Sequence, residues 1–72
     1  MESKEEIQQR FGEHLTSLRE GKGISIRELA ARANLEYSQV QRIEKGKVNL
    51  SLSTIVALSE GLGISKSKVM DF

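Results

Sequence analysis

"LAARANLEYSQVQRIEKG", residues 29–46, decides how this 72-residue chain folds. Leu29, Ala30 and Ala33 recur at helical spacing, and Asn34 interrupts them. Asparagine enters the left-handed region at modest cost, so this position reads as the end of one short helix. A second helix is expected from Tyr37 to about Lys45, stopped by Gly46. On it Val40 and Ile43 lie within about 60° of each other. Ser38, Arg42 and Lys45 gather on the opposite side, with Gln39 and Gln41 flanking them. That polar face carries no carboxylate, unlike a solvated surface of balanced ion pairs. Its side chains can bond base edges, Arg to guanine and Gln to adenine. A short helix, a tight turn and such a face form the arrangement that presents a helix to a major groove.

Working outward, Ser3 and Glu6 have the spacing of a capping box ahead of Ile7, Phe11, Leu15 and Leu18. Gly21 and Gly23 end that first helix. A second S-x-x-E box, Ser25 and Glu28, opens the helix carrying Ile26, Leu29, Ala30 and Ala33. Ser51 is expected to cap a fourth helix with Leu52, Ile55, Leu58 and Leu62 inward, closing near Gly61 and Gly63. Ser65 caps a last turn with Val69, Met70 and Phe72. Five short helices with tight connections imply an all-α fold, read as a single domain over residues 1–72 with its helix-turn-helix at about 25–46 and its C-terminal helices at about 51–72.

Composition narrows the function. The formal charge is only +1, but residues 21–48 hold six basic side chains against three acidic ones, whereas residues 1–20 hold three against five. Positive charge is therefore concentrated on the central helices. No cysteine is present, which removes disulfides and thiolate metal sites and suits a reducing cytoplasm. No apolar run approaches the roughly 18 residues of a membrane span, and the charged start MESKEEIQQR lacks a secretory apolar segment. His14, the single histidine, falls on the inward side of the first helix with no nucleophile or metal partner and reads as a packing residue. Without paired carboxylates, a Cys/His set or a phosphate-cradling glycine loop, no enzyme activity, metal or cofactor is expected.

From Phe11 to Gly63 the chain resembles the Xre/Cro-type, lambda-repressor-like helix-turn-helix family. The matching pieces are "FGEHLTSLREGKGIS", "RELAARANL", "VQRIEKGK" and "NLSLSTIVALSEGLGIS", in that family's order and spacing. The resemblance implies a compact five-helix domain whose third helix enters the major groove of double-stranded DNA. It places base reading on Tyr37, Ser38, Gln39 and Arg42, and phosphate contact on Ile26, Arg27, Lys45 and Lys47. Helix N-terminal amides and ammonium groups both attract phosphate. Two positions depart from the family pattern. Ile26 stands where a phosphate-binding glutamine is usual and can offer only its backbone N–H, leaving Arg27 to compensate. Glu36 stands where a Ser, Thr or Asp cap is usual. The resemblance also names a partner for Glu44, which lies about 40° from Val40 and so near the buried face: an ion pair with Arg19.

Ile55, Val56, Leu58, Leu62, Ile64, Val69, Met70 and Phe72 make more apolar surface than the last helices can bury within one domain. Val56, Val69, Met70 and Phe72 therefore read as a homodimer interface, with two copies about 34 Å apart spanning successive major grooves. The expected function is a sequence-specific DNA-binding transcriptional regulator of a bacterium or phage, acting in the cytoplasm. The alternative is an antitoxin or protein-interaction module of the same fold, which binds a partner protein and DNA only secondarily. Tyr37 is open between stacking on a base and covering the core edge.

Overall fold

One device starts four of the five helices. Ser3, Ser25, Ser51 and Ser65 each hold an extended backbone and accept a hydrogen bond from the amide three residues on, at 3.0–3.2 Å. Each bond satisfies an N–H that the helix itself cannot. The computed structural model describes residues 1–72, with α1 at Lys4–Gly21, α2 at Ile26–Ala33, α3 at Tyr37–Glu44, α4 at Leu52–Leu62 and α5 at Lys66–Val69. The capping box at Ser3 is complete, since the Glu6 carboxylate accepts from the Ser3 amide at 2.8 Å. The one expected at Ser25 is half formed. Glu28 turns to Arg32, one turn along α2, at 2.7 Å instead of reaching back. Only α3 starts without a side-chain cap: Glu36 occupies the position and makes no such bond.

The turn between α2 and α3 closes as the sequence suggests. Asn34 is left-handed at φ 57° and ψ 43°, and the Leu35 amide returns to the Ala30 carbonyl at 2.9 Å. Leu35 then packs against the core, so the turn is held from inside. Around it α2 packs on both α3 and α4, α1 crosses α3, and α5 bridges α4 and α1. The center is apolar, with Leu15, Leu29, Val40, Ile43, Leu58 and Val69 fully enclosed.

Three readings of the sequence need correction. Leu52 is 82% exposed, because it lies in the first turn of α4, where Ser51 and Ser53 are uncovered as well. Ile7 is also exposed, because it sits at the open edge of a shallow groove shared with Leu50, Ile55 and Phe72 that nothing closes over. Val69 is 0% exposed, buried inside the domain, so it cannot contribute to an interface between copies. A four-residue helix needs an anchor, and Val69 supplies it for α5. His14 adds a second tie, its Nε2–H donating to the Lys68 carbonyl at 3.0 Å.

Where α1 crosses α3 the backbones nearly touch. A Cβ at Gly12 would lie 2.6 Å from the Glu44 carbonyl oxygen and 2.7 Å from that of Ile43. Beside this crossing Arg19 meets Glu44. Its Nε donates to Oε2 at 2.7 Å and its Nη2 to Oε1 at 3.1 Å, while Nη1 donates to the Ile24 carbonyl at 2.9 Å. Thr16 Oγ1 lies 2.9 Å from both Glu44 Oε1 and the Gly12 carbonyl, its one proton shared between them. The two charged side chains are 13% and 6% exposed, so each depends on the other for the hydration it has lost. Glu44, through its hydrogen bonds first of all, raises the Arg19 pKa further above its already high value.

Two outcomes are expected. Arg19→Met strands a buried carboxylate and should cost about 3 kcal/mol in urea unfolding, while Glu44→Gln, which still accepts from Arg19, costs less. Arg19→Leu combined with Glu44→Leu should recover part of that loss, because no charge is then left unpaired. At the chain start, the Ser3 amide and hydroxyl hold the Glu6 carboxyl below its ordinary value of 4.5. A lowered folded value means the stabilisation is complete above pH 4.5 and fades as pH falls through that folded value. Amide exchange over residues 4–7 should accelerate in that acid range, and Ser3→Ala should remove the pH dependence.

Candidate nucleic-acid interface

The outer face of α3 is built by what its inner face buries. Val40 and Ile43 are driven into the core at 0% and 1% exposure, and the buried Glu44 carboxylate fixes the rotation of the helix. The opposite side must then face outward. Tyr37, Ser38 and Arg42 are exposed there, with Gln39 and Gln41 half-buried at its edges. The four residues singled out for base reading, Tyr37, Ser38, Gln39 and Arg42, therefore share one accessible surface.

Its charge is more positive than composition suggests. Within residues 21–48 only Arg32 is paired, with Glu28. Glu44 is consumed by Arg19 from α1. Lys22, Arg27, Arg42, Lys45 and Lys47 have no carboxylate partner, and Glu36 is the one acid of this segment left free. Lys45 and Lys47 stand exposed just after α3, where the chain bends at Gly46. Gly46 has φ +71°, and a Cβ there would lie 2.9 Å from Gln9 Cα, so the bend is pressed against α1.

At the start of α2 the Ile26 side chain packs against the core and presents only its amide outward. Arg27 is exposed beside it, its guanidinium 5.0 Å from the centroid of the Tyr37 ring. Tyr37, 40% exposed, therefore does not stand free. The alternation of apolar residues did not reveal a further neighbour. Asn49, Ser51 and Thr54, at the entry to α4, share with Gln39 and Arg42 an open polar notch of about 400 Å³. Ser51 was legible only as a cap, because which helix stands beside α3 is a property of the packing.

On the far side Ile7, Phe11, Leu50, Ile55, Met70 and Phe72 line a shallow apolar groove of about 110 Å³. Met70 is 45% exposed at its rim. Phe72 lies half-buried, edge-on to Phe11 with ring centroids 5.4 Å apart, and the Arg10 guanidinium lies over its ring at 5.3 Å. Val56 is half-buried on α4. Of the four residues expected at an interface, Val56, Met70 and Phe72 thus keep accessible surface and Val69 does not. No helix is long and apolar enough to cross a membrane, and no cluster of His, Cys, Asp and Glu has the makings of a metal site.

An all-helical domain with a short helix exposed behind a tight turn defines a class of protein, and comparison with known proteins places this chain within it. The helix-turn-helix family profile matches residues 15–69. The control protein C.MunI of a Mycoplasma species is 38% identical over 65 residues, covering 89% of this chain and 88% of its own. The restriction-modification controller protein C.AhdI of Aeromonas hydrophila superposes with a TM-score of 0.84 at 35% identity, over 86% of this chain and 94% of that one. The clp gene regulator ClgR of Corynebacterium glutamicum does so with a TM-score of 0.83 at 26% identity, over 90% and 84%. This chain belongs to the helix-turn-helix family.

Proposed function

We propose that this protein is a sequence-specific DNA-binding transcriptional regulator that lays α3 in the major groove of its operator. One observation carries the reading: the outward face of α3 presents Ser38, Gln39 and Arg42 with no carboxylate among them and unpaired cations at its ends. Arg42 is suited to a bidentate bond with guanine, and Gln39 to one with adenine. Lys45, Lys47, Arg27 and the amides at the start of α2 meet the flanking phosphates. No side chain performs a reaction in this scheme. DNA binding is the whole chemistry, and it acts in the bacterial cytoplasm, where operators are.

The working unit is a symmetric homodimer. A single recognition helix reads too few base pairs to find one site in a genome. A domain measuring 33 × 24 × 21 Å can stand beside its copy with recognition helices one turn, about 34 Å, apart. The apolar groove at Ile7, Ile55, Met70 and Phe72, together with Val56 and the exposed Leu52, is the surface available for that contact. Because C.MunI and C.AhdI are named as controllers, the second of them of restriction-modification, the genes of such a system are the targets we assign. The same groove would serve a protein-interaction module. In that reading DNA binding is secondary, so the strength and salt dependence of binding to a random duplex separate the two, the regulator showing the steep dependence.

Selection of bound duplexes from a random pool should return a sequence with two-fold symmetry. Arg42→Ala should relax preference at one position per half-site, at a cost of about 1–3 kcal/mol there. Lys45→Ala and Lys47→Ala should weaken all sequences alike and lower the salt slope by about one each. If the arginine and lysine variants behaved identically on matched and mismatched sites, this division of roles would be wrong. Sedimentation should show two chains per operator, and Met70→Glu should reduce this to one. A 1:1 complex on an asymmetric site would rule out the dimer.

A further inference from the structure

Arg27 and Tyr37 come from different helices, and neither is needed to fill the core. Both are exposed, yet the guanidinium sits over the tyrosine ring at 5.0 Å from its centroid. Arg27 has no carboxylate partner, and Glu28 beside it is taken by Arg32 at 2.7 Å. The ring is thus the one group in the structure that fixes where this charge stands.

We propose that Tyr37 is a positioning residue: its ring holds Arg27 at the mouth of the α2–α3 turn, ready to bind a DNA phosphate that Ile26 can reach only through its amide. The inference rests on the DNA-binding reading above and moves Tyr37 from the bases to the backbone. Its chemistry depends on the shape of the guanidinium. Stacking uses the flat face of that group, where the ring quadrupole attracts positive charge. The N–H donors lie in the plane, along the edges, and stay free for a bidentate phosphate bond. Arg27 can therefore be held and still be fully available.

The geometry also accounts for the neighbouring side chain. Ile26 opens α2 but spends its side chain on the core, leaving its own amide and that of Arg27 as free donors at a positive helix end. A phosphate drawn there meets two backbone N–H groups and lacks a charged clamp. A freely rotating arginine would lose its side-chain freedom on binding. One already held over a ring has lost most of it beforehand, which is worth about two- to tenfold in affinity.

The test uses the intact protein and a random-sequence duplex of about 30 base pairs, with affinity followed against salt. The wild type should bind with a steep salt dependence. Arg27→Ala should lower the slope by about one. Tyr37→Ala should weaken binding by about two- to tenfold on every sequence, and Tyr37→Phe should keep the wild-type value. The double variant Arg27→Ala/Tyr37→Ala should bind no worse than Arg27→Ala alone, whereas Tyr37→Ala and Lys45→Ala should be additive. Without DNA, ring-current shifts on the Arg27 δ-methylene protons should vanish in Tyr37→Ala and persist in Tyr37→Phe. Thermal melts should shift by no more than a few degrees, with all variants folded at the temperature of the binding assay.

Additive losses for Arg27 and Tyr37, or a change of base preference at one position in Tyr37→Ala, would overturn the proposal while leaving the DNA-binding reading intact. A wild-type protein that fails to bind the random duplex at low salt would remove both.

Discussion

The placement of α3, and with it the direction of its outer face, depends on the buried carboxylate of Glu44. An eight-residue helix such as α3 has little stability of its own, so its place and rotation come from its contacts. Val40 and Ile43 give it an inner face, but two aliphatic side chains allow some rolling. Glu44 removes that freedom. Two nitrogens of Arg19 and the hydroxyl of Thr16 define where its oxygens stand. Arg19 is tied in turn to the Ile24 carbonyl just ahead of α2. One charged group thus sets α3 against α1 and the entry to the turn together.

The same pair shapes the electrostatics of the surface. Left unpaired, the Glu44 carboxylate would add a free negative charge at the end of α3, one residue from Lys45, and would repel a phosphate backbone. Its burial against a cation from α1 hides one negative charge of the central segment without spending any of that segment's own cations. Glu28 is neutralised within α2. What remains outward is a set of unpaired cations with Glu36 as the single free acid. In a nearly neutral protein the unpaired positive charge therefore gathers around α3.

The C-terminal half follows a different logic. α5 is too short to persist alone and is kept by one enclosed valine, a histidine bond from α1 and the edge-on contact of Phe72 with Phe11. These fastenings leave Ile7, Leu52 and Met70 in solvent. The domain thus separates its surfaces: a polar, basic one around α3 and an apolar one on the flank formed by α1, α4 and α5.

Much of this was determined by local chemistry and was legible in the sequence. Ser3, Ser25, Ser51 and Ser65 cap helices because a hydroxyl at that spacing meets an orphan amide. Asn34 turns left-handed because few other side chains do so cheaply. The period of Val40 and Ile43 fixes which side of α3 faces away. The outward side of Ser38 and Arg42, with Gln39 at its edge, follows from this period, and Glu44 then fixes the rotation. What required the tertiary structure was every question of which surface meets which. Leu52 and Ile7 obey helical periodicity and are still exposed, because periodicity says which face is apolar and not whether a neighbour covers it. Val69 has the composition of an interface residue and is buried, because α5 folds back on the core. Thr16 gave no signal, since a threonine on a helix becomes a ligand for Glu44 only when α1 and α3 touch at Gly12. Arg27 and Tyr37 are ten residues apart in sequence, and only the turn between their helices brings the guanidinium onto the ring.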